Sequence, residues 1–120
     1  MRQEMLVSIL NDLMSASGDI EASAVISTDG LMIASVLPAG ADEDRVGAMT
    51  AAMLALGERT AVELGRGDVE QVMVKGSKGY VLMLYAGEDA VLSVLARPQA
   101  KLGLIFLDAK RAAENLAKVV

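Results

Sequence analysis

The chain has 120 residues, 53% hydrophobic and 2% aromatic, so it can bury an aliphatic, Met-rich core and is too apolar to stay disordered. A net charge of −5 offers no overall basic field to collect phosphates, which argues against a nucleic-acid or anionic-membrane surface. With no Cys and no His, disulfides, thiolate chemistry, the commonest general bases and the soft metal ligands drop out.

The first element is a helix over Arg2–Ala16, with Met5, Leu6, Ile9, Leu10, Leu13 and Met14 on its apolar face. Arg2, Glu4 and Asp12 interrupt any signal-peptide core, and no apolar run reaches 18 residues, so neither export nor a membrane span is expected. A cytoplasmic location follows as the expectation. The period then changes to two. Residues 22–28 (ASAVIST) and 31–37 (LMIASVL) flank Asp29-Gly30, a strong hairpin signal. Pro38 and Gly40 release the chain into a long helix over 42–64, about 33 Å long at 1.5 Å per residue. Asp42 suits its N-cap, Glu43 and Asp44 favour the positive end of its dipole, and Gly65 suits its C-terminus. Three strands follow at 68–75, 80–86 and 90–97, joined by Gly-containing turns short enough for an antiparallel meander. Pro98 stops the last strand, and a helix over 101–119 closes the chain.

The central helix has two sides that both lack charge. Val46, Met49, Met53, Leu56, Thr60 and Leu64 follow the spacing of a buried stripe and are expected to cover the sheet. Gly47, Ala48, Ala51 and Ala55 line the opposite side, where a solvated helix usually carries Lys, Glu or Gln. A Gly inside a helix costs about 1 kcal/mol relative to Ala, so Gly47 and Gly57 need compensation. Close approach of the same helix from a second chain would supply it, with Leu54 as the apolar flank of that seam. Strands four and five are apolar on both faces, so the central helix belongs on one face of the sheet and the terminal helices on the other. Strand three, with Glu70, Gln71 and Lys75 among its apolar residues, reads as an edge that stays partly soluble or pairs across a dimer axis. Of eight Met residues, Met5, Met14, Met49, Met53 and Met83 fall on expected core positions.

Few residues invite catalysis. Glu88-Asp89 suit a hairpin turn and Glu43-Asp44 a helix start. Gly76-Ser-Lys-Gly79 lacks the spacing of a phosphate loop and lies between two strands. Arg45, Arg59 and Arg66, on or beside the central helix, could reach the phosphates of a partner's bound nucleotide, although surface solubility explains them equally well. No cofactor or metal is expected.

The element order α-β-β-α-β-β-β-α, residues 27–34 (STDGLMIA), the Ala-rich central helix and the closing KLGL and KRAA segments at 101–104 and 110–113 resemble the roadblock family, which includes dynein light chains and the bacterial MglB proteins. The resemblance spans essentially the whole chain and implies one domain over residues 1–120. It implies an α+β sandwich with a five-stranded antiparallel sheet in the order 2-1-5-4-3. It also implies a homodimer with paired central helices and abutting third strands. Family members usually bind and regulate small Ras-like GTPases, or serve as adaptors, without catalysing. The GTPase then docks on the paired helices, and the expected dimer interface and platform comprise Gly47, Ala48, Ala51, Leu54, Ala55, Glu58 and Arg59 with Val69, Gln71 and Met73. Two other readings stand beside this one. One is a small-molecule sensory domain, for which Ser27, Ser35 and Ser93 are the inward hydroxyls. The other is a structural adaptor subunit of a motor or membrane-associated complex.

Overall fold

In a computed structural model that describes residues 2–120, α1 (Arg2–Ala16) leads into β1 (Ile20–Ser27) and β2 (Met32–Val36). Then come α2 (Glu43–Glu63), β3 (Gln71–Gly76), β4 (Gly79–Tyr85), β5 (Ala90–Ala96) and α3 (Leu102–Ala117). Among the described residues the strands form one sheet in the order β2-β1-β5-β4-β3, antiparallel at each pairing. The order and the α+β class agree with those the family resemblance implies. The apolar runs β1, β5 and β4 lie inside, with Val25 opposite Leu92 and Leu84 opposite the same leucine from the other side. The more polar β3 lies at an edge.

Each joint has a local cause. Gly30, at φ 92°, donates its N–H to the Ser27 carbonyl, and Ser27 donates in turn to Leu31, closing a three-residue loop that needs Gly at its last position. Asp42 caps α2 by accepting the Arg45 N–H at 3.1 Å. The far end of α2 is a Schellman ending: Gly65, at φ 68°, donates to Val62 and Arg66 donates to Ala61. These end signals are readable from residue type alone.

The two faces of the sheet are unequally covered. On one, Leu6, Leu10 and Leu13 of α1 and Ile105, Ala109 and Leu116 of α3 close over Val25, Leu82, Leu92 and Val94. On the other, a small cluster of Leu54, Met83 and Val91 sits under α2, with Met53, Val72 and Val81 only partly covered. Burying a Leu fully contributes roughly 1.5–3 kcal/mol, so the first layer holds most of the stabilisation.

The orientation of α2 corrects the sequence reading. Its buried residues are Gly47, Thr50 and Leu54, between the two sides read from the sequence; of the small side Ala51 is half-buried and Ala48 and Ala55 are exposed, and Met49, Leu56, Thr60 and Leu64 are exposed on the other. The reason is steric. A Cβ at Gly47 would collide with the Gly30 carbonyl, and Ala51 packs against the same glycine, so the hairpin tip reaches the helix only along a face without bulk. Gly57 is likewise taken up by β3: a Cβ there would lie 2.7 Å from Cγ2 of Val72. Both glycines therefore have a close contact within the chain that a side chain would disturb. Two further expectations change. Met5 is exposed, because α1 buries Leu6, Leu10 and Leu13 instead. The fully buried hydroxyl residues are Ser23, Thr50 and Ser93, whereas Ser27 and Ser35 are half-exposed. Ser27 Oγ accepts the Leu31 N–H, and Ser35 Oγ donates to Glu43 at 3.0 Å, tying β2 to the start of α2.

Candidate interaction surface

With Gly47 and Ala51 against the hairpin tip, α2 turns its large apolar residues outward. Met49, Leu56 and Leu64 are 53%, 58% and 66% exposed. They follow the side of the helix nearer β3. There a groove of about 520 Å³ runs between Met53, Leu56, Thr60 and Leu64 on the helix and Val69 and Val72 on the strand side. Beyond the groove lies β3, whose outer edge has no strand beside it among the described residues. Val72 and Val74 share the α2 face, through their pairing with Met83 and Val81. Gln71, Met73 and Lys75 share the opposite face, and the Lys75 ammonium sits 5.8 Å from the centroid of the Tyr80 ring.

The two edges of the sheet differ in ways that bear on pairing. β2 has five residues, a register shift beside Ile33, and Pro38 just after it, all features that discourage a further strand. β3 pairs with β4 in continuous register from Gln71 to Gly76 and has neither proline nor bulge. An edge of this kind, exposed and flanked by an apolar groove, is the shape that another chain completes.

The ten residues expected at the interface are distributed over several surroundings. Gly47 and Leu54 are buried within the protomer, and Ala51 is half-buried. Ala48, Ala55 and Arg59 stay exposed on α2, turned away from the groove. Glu58 lines a second hollow with Tyr85 and Glu88, and Val69 borders both that hollow and the groove. Gln71 and Met73 are exposed on the far face of β3. Periodicity assigns Met49, Met53, Leu56 and Leu64 to the core instead. The signal that distinguishes the two sides is the pairing of an Asp-Gly turn with a helical Gly47. Arg59 Nε bonds Glu63 Oε1 at 3.0 Å, both side chains being largely exposed, and Arg66 Nε bonds the Leu64 carbonyl. Exposed pairs of this sort contribute about 0–1 kcal/mol and leave a side chain free to re-aim. Among the described residues no helix is long and apolar enough to cross a membrane.

The α+β sandwich thus leaves a row of large apolar side chains on one helix beside a strand edge that no other strand covers among the described residues. The chain belongs to the Roadblock/LC7 domain family, whose model matches residues 6–96. Two uncharacterized proteins of Methanocaldococcus jannaschii are 45% and 44% identical to it over 112 residues, 93% of this chain and 96% of each relative. Among solved structures, an MglB with a tetrameric arrangement is 25% identical, with a TM-score of 0.88 over 98% of this chain and 89% of that one. The gliding protein MglB of Thermus thermophilus shares the fold at 24% identity, with a TM-score of 0.86 over 98% and 90% of the two chains. Membership of this family, with MglB-like structural neighbours, supports a regulator or adaptor role.

Proposed function

We propose that the protein is a non-catalytic, cytoplasmic homodimer that binds and regulates a small Ras-like GTPase. The observation that carries this reading is the outward row Met49, Leu56 and Leu64 beside the open edge of β3, on a chain of the Roadblock/LC7 family. A two-fold axis beside β3 would pair that strand with its copy and set the two α2 helices side by side. Each groove would then be filled by the partner's helix, and one sheet would run through both protomers. The seam is thus assigned to the Met49–Leu64 side of α2 and to β3. Ala48, Ala55 and Arg59 lie away from the seam and would form the GTPase platform on the paired helices.

The reading is tested by sedimentation velocity on the purified protein, together with affinity capture from native lysate supplied with GDP or a non-hydrolysable GTP analogue. A dimer that enriches a Ras-like GTPase in one nucleotide condition over the other is the expected result. A monomer at micromolar concentration that recovers no such GTPase would overturn it.

A further inference from the structure

The long helix α2 is anchored along its first half and stands almost clear of the sheet along its second. At the first half, Asp42 caps the helix, the Ser35 hydroxyl donates to Glu43, and Gly47 rests on the Gly30 carbonyl with Ile26 beneath it. Thr50 and Leu54 complete that buried row. Gly57 still approaches the sheet closely, at Val72. From Glu58 to Glu70 every residue is exposed except Ala61 and Val69, which are half-buried.

Hollows flank the second half on both sides. The groove of about 520 Å³ runs along Thr60 and Leu64, and the hollow of about 440 Å³ runs along Glu58 and Val62, opposite Tyr85 and Glu88. The hydrogen bonds made by its side chains and by its ending run within residues 56–66. Arg59 donates to Glu63, Thr60 Oγ1 to the Leu56 carbonyl, and Arg66 to the Leu64 and Ala61 carbonyls. They hold the helix together without tying it to the sheet.

The local sequence eases a break at this place. Gly57 is a poor helix former, and a Thr hydroxyl bonded back to the carbonyl four residues earlier weakens a helix slightly. Past the helix, Gly65 and Gly67, at φ 68° and 84°, turn the chain through conformations that cost glycine little. A segment with few buried contacts and exposed backbone bonds opens more readily than the domain as a whole.

We infer that residues 58–70 form a flap hinged at Gly57, which opens and closes on the anchored first half of α2 and is held shut when a second chain fills the groove. Opening takes place on the timescale of local unfolding and uncovers Val72 at the strand edge. The flap follows from the burial and the hollows of one protomer. Its closure by a second copy rests on the dimer reading, and association then orders the surface that it uses.

Hydrogen exchange read by mass spectrometry tests the flap, on the wild-type chain at about 1 and 100 μM and on Leu56→Glu, which places a charge in the groove. Where no second chain fills the groove, the amides of residues 59–66 should exchange about 100-fold faster than those of 50–55, and as one group. In dilute urea the first group should share a shallow slope, while the second follows the steep slope of global unfolding. Equal protection of the two groups in a monomeric wild-type chain, or in Leu56→Glu whether monomer or dimer, would overturn the inference. So would a graded rise confined to residues 63–66, which is ordinary fraying of a helix end. Protection of a wild-type dimer that is lost on dilution or in Leu56→Glu would support flap and seam together. Fast exchange in a wild-type dimer at both concentrations would support the flap and remove the seam from this side of α2. A Leu56→Glu monomer with residues 59–66 fully protected would sink the flap and leave the dimer standing.

Discussion

At Gly47 the missing side chain lets the tip of the β1–β2 hairpin touch α2, with the Gly30 carbonyl occupying the space a methyl group would need. Helix propensity alone favours Ala there by about 1 kcal/mol. The collision is with backbone, which cannot rotate away, and overpacking of this kind costs about 1–3 kcal/mol or more. Gly47→Ala should therefore be net destabilising and visible as a lower urea midpoint with an unchanged slope. Gly57→Ala meets methyl groups rather than backbone, Cγ2 of Val72 and, at 4.0 Å, Cγ2 of Val69, so its propensity gain should offset much of the contact and leave stability within about 1 kcal/mol of wild type. Equal losses at the two positions would show that the hairpin contact is not what fixes the helix. Ser23 is a different case at this scale: its hydroxyl is fully buried on β1 and has no hydrogen-bond partner among the described residues. Nothing in its residue type marks it apart from Ser27, whose hydroxyl closes the turn.

At the scale of elements, much is legible because caps and turns act locally. Asp42, Gly65 and Asp29-Gly30 do in the fold what their residue types favour. The strand starts are less legible. β3 begins at Gln71 rather than at residue 68, since Asp68 to Glu70 bring the chain from the helix end to the sheet edge. The buried face of α2 escapes the sequence reading for a physical reason. Periodicity shows that a helix has an apolar side but does not say which chain covers it, and α2 has two such sides. Hydrophobicity favours the Met49–Leu64 side for the core, while fit against Gly30 places Gly47 and Ala51 there and leaves Ala48 and Ala55 exposed. The proposed seam follows from this reversal. Leu56→Glu and Ala55→Glu both add an acid to the exposed part of α2, one turned towards the groove and the other away from it. An unpaired charge buried in an interface costs several kcal/mol, so Leu56→Glu should weaken the dimer by about 100-fold or more. Ala55→Glu should leave self-association intact and reduce capture of the GTPase. Sedimentation equilibrium of both variants separates the outcomes, and dissociation by Ala55→Glu with retention by Leu56→Glu would return the seam to the small side.

For the molecule as a whole, the unequal layers have a thermodynamic consequence. α1 and α3 close a broad cluster from Leu6 to Leu116, whereas the cluster under α2 is small, with Leu54, Met83 and Val91 at its centre and Ile26 beneath Gly47. The helix also leaves Met49, Leu56 and Leu64 in water. A second copy seated on the groove would finish that thin layer, so a large share of folding stability should come from association. Anything that binds the folded chain and not the unfolded one makes the melting temperature depend on its concentration, and here the ligand is the chain itself. Raising the protein from about 1 to 100 μM should shift the unfolding midpoint upward by several degrees, since an obligate dimer gains about 2.7 kcal/mol from a hundredfold increase. For a chain of this length each kcal/mol corresponds to roughly 4 °C, though a folding dimer spreads that gain over two chains. Leu56→Glu should flatten the dependence, because the stability it removes is intermolecular. Differential scanning calorimetry across that range decides the matter. A midpoint that stays fixed over two decades of concentration would mean that α2 is held by its own sheet alone, and that the exposed row answers to a partner of another kind.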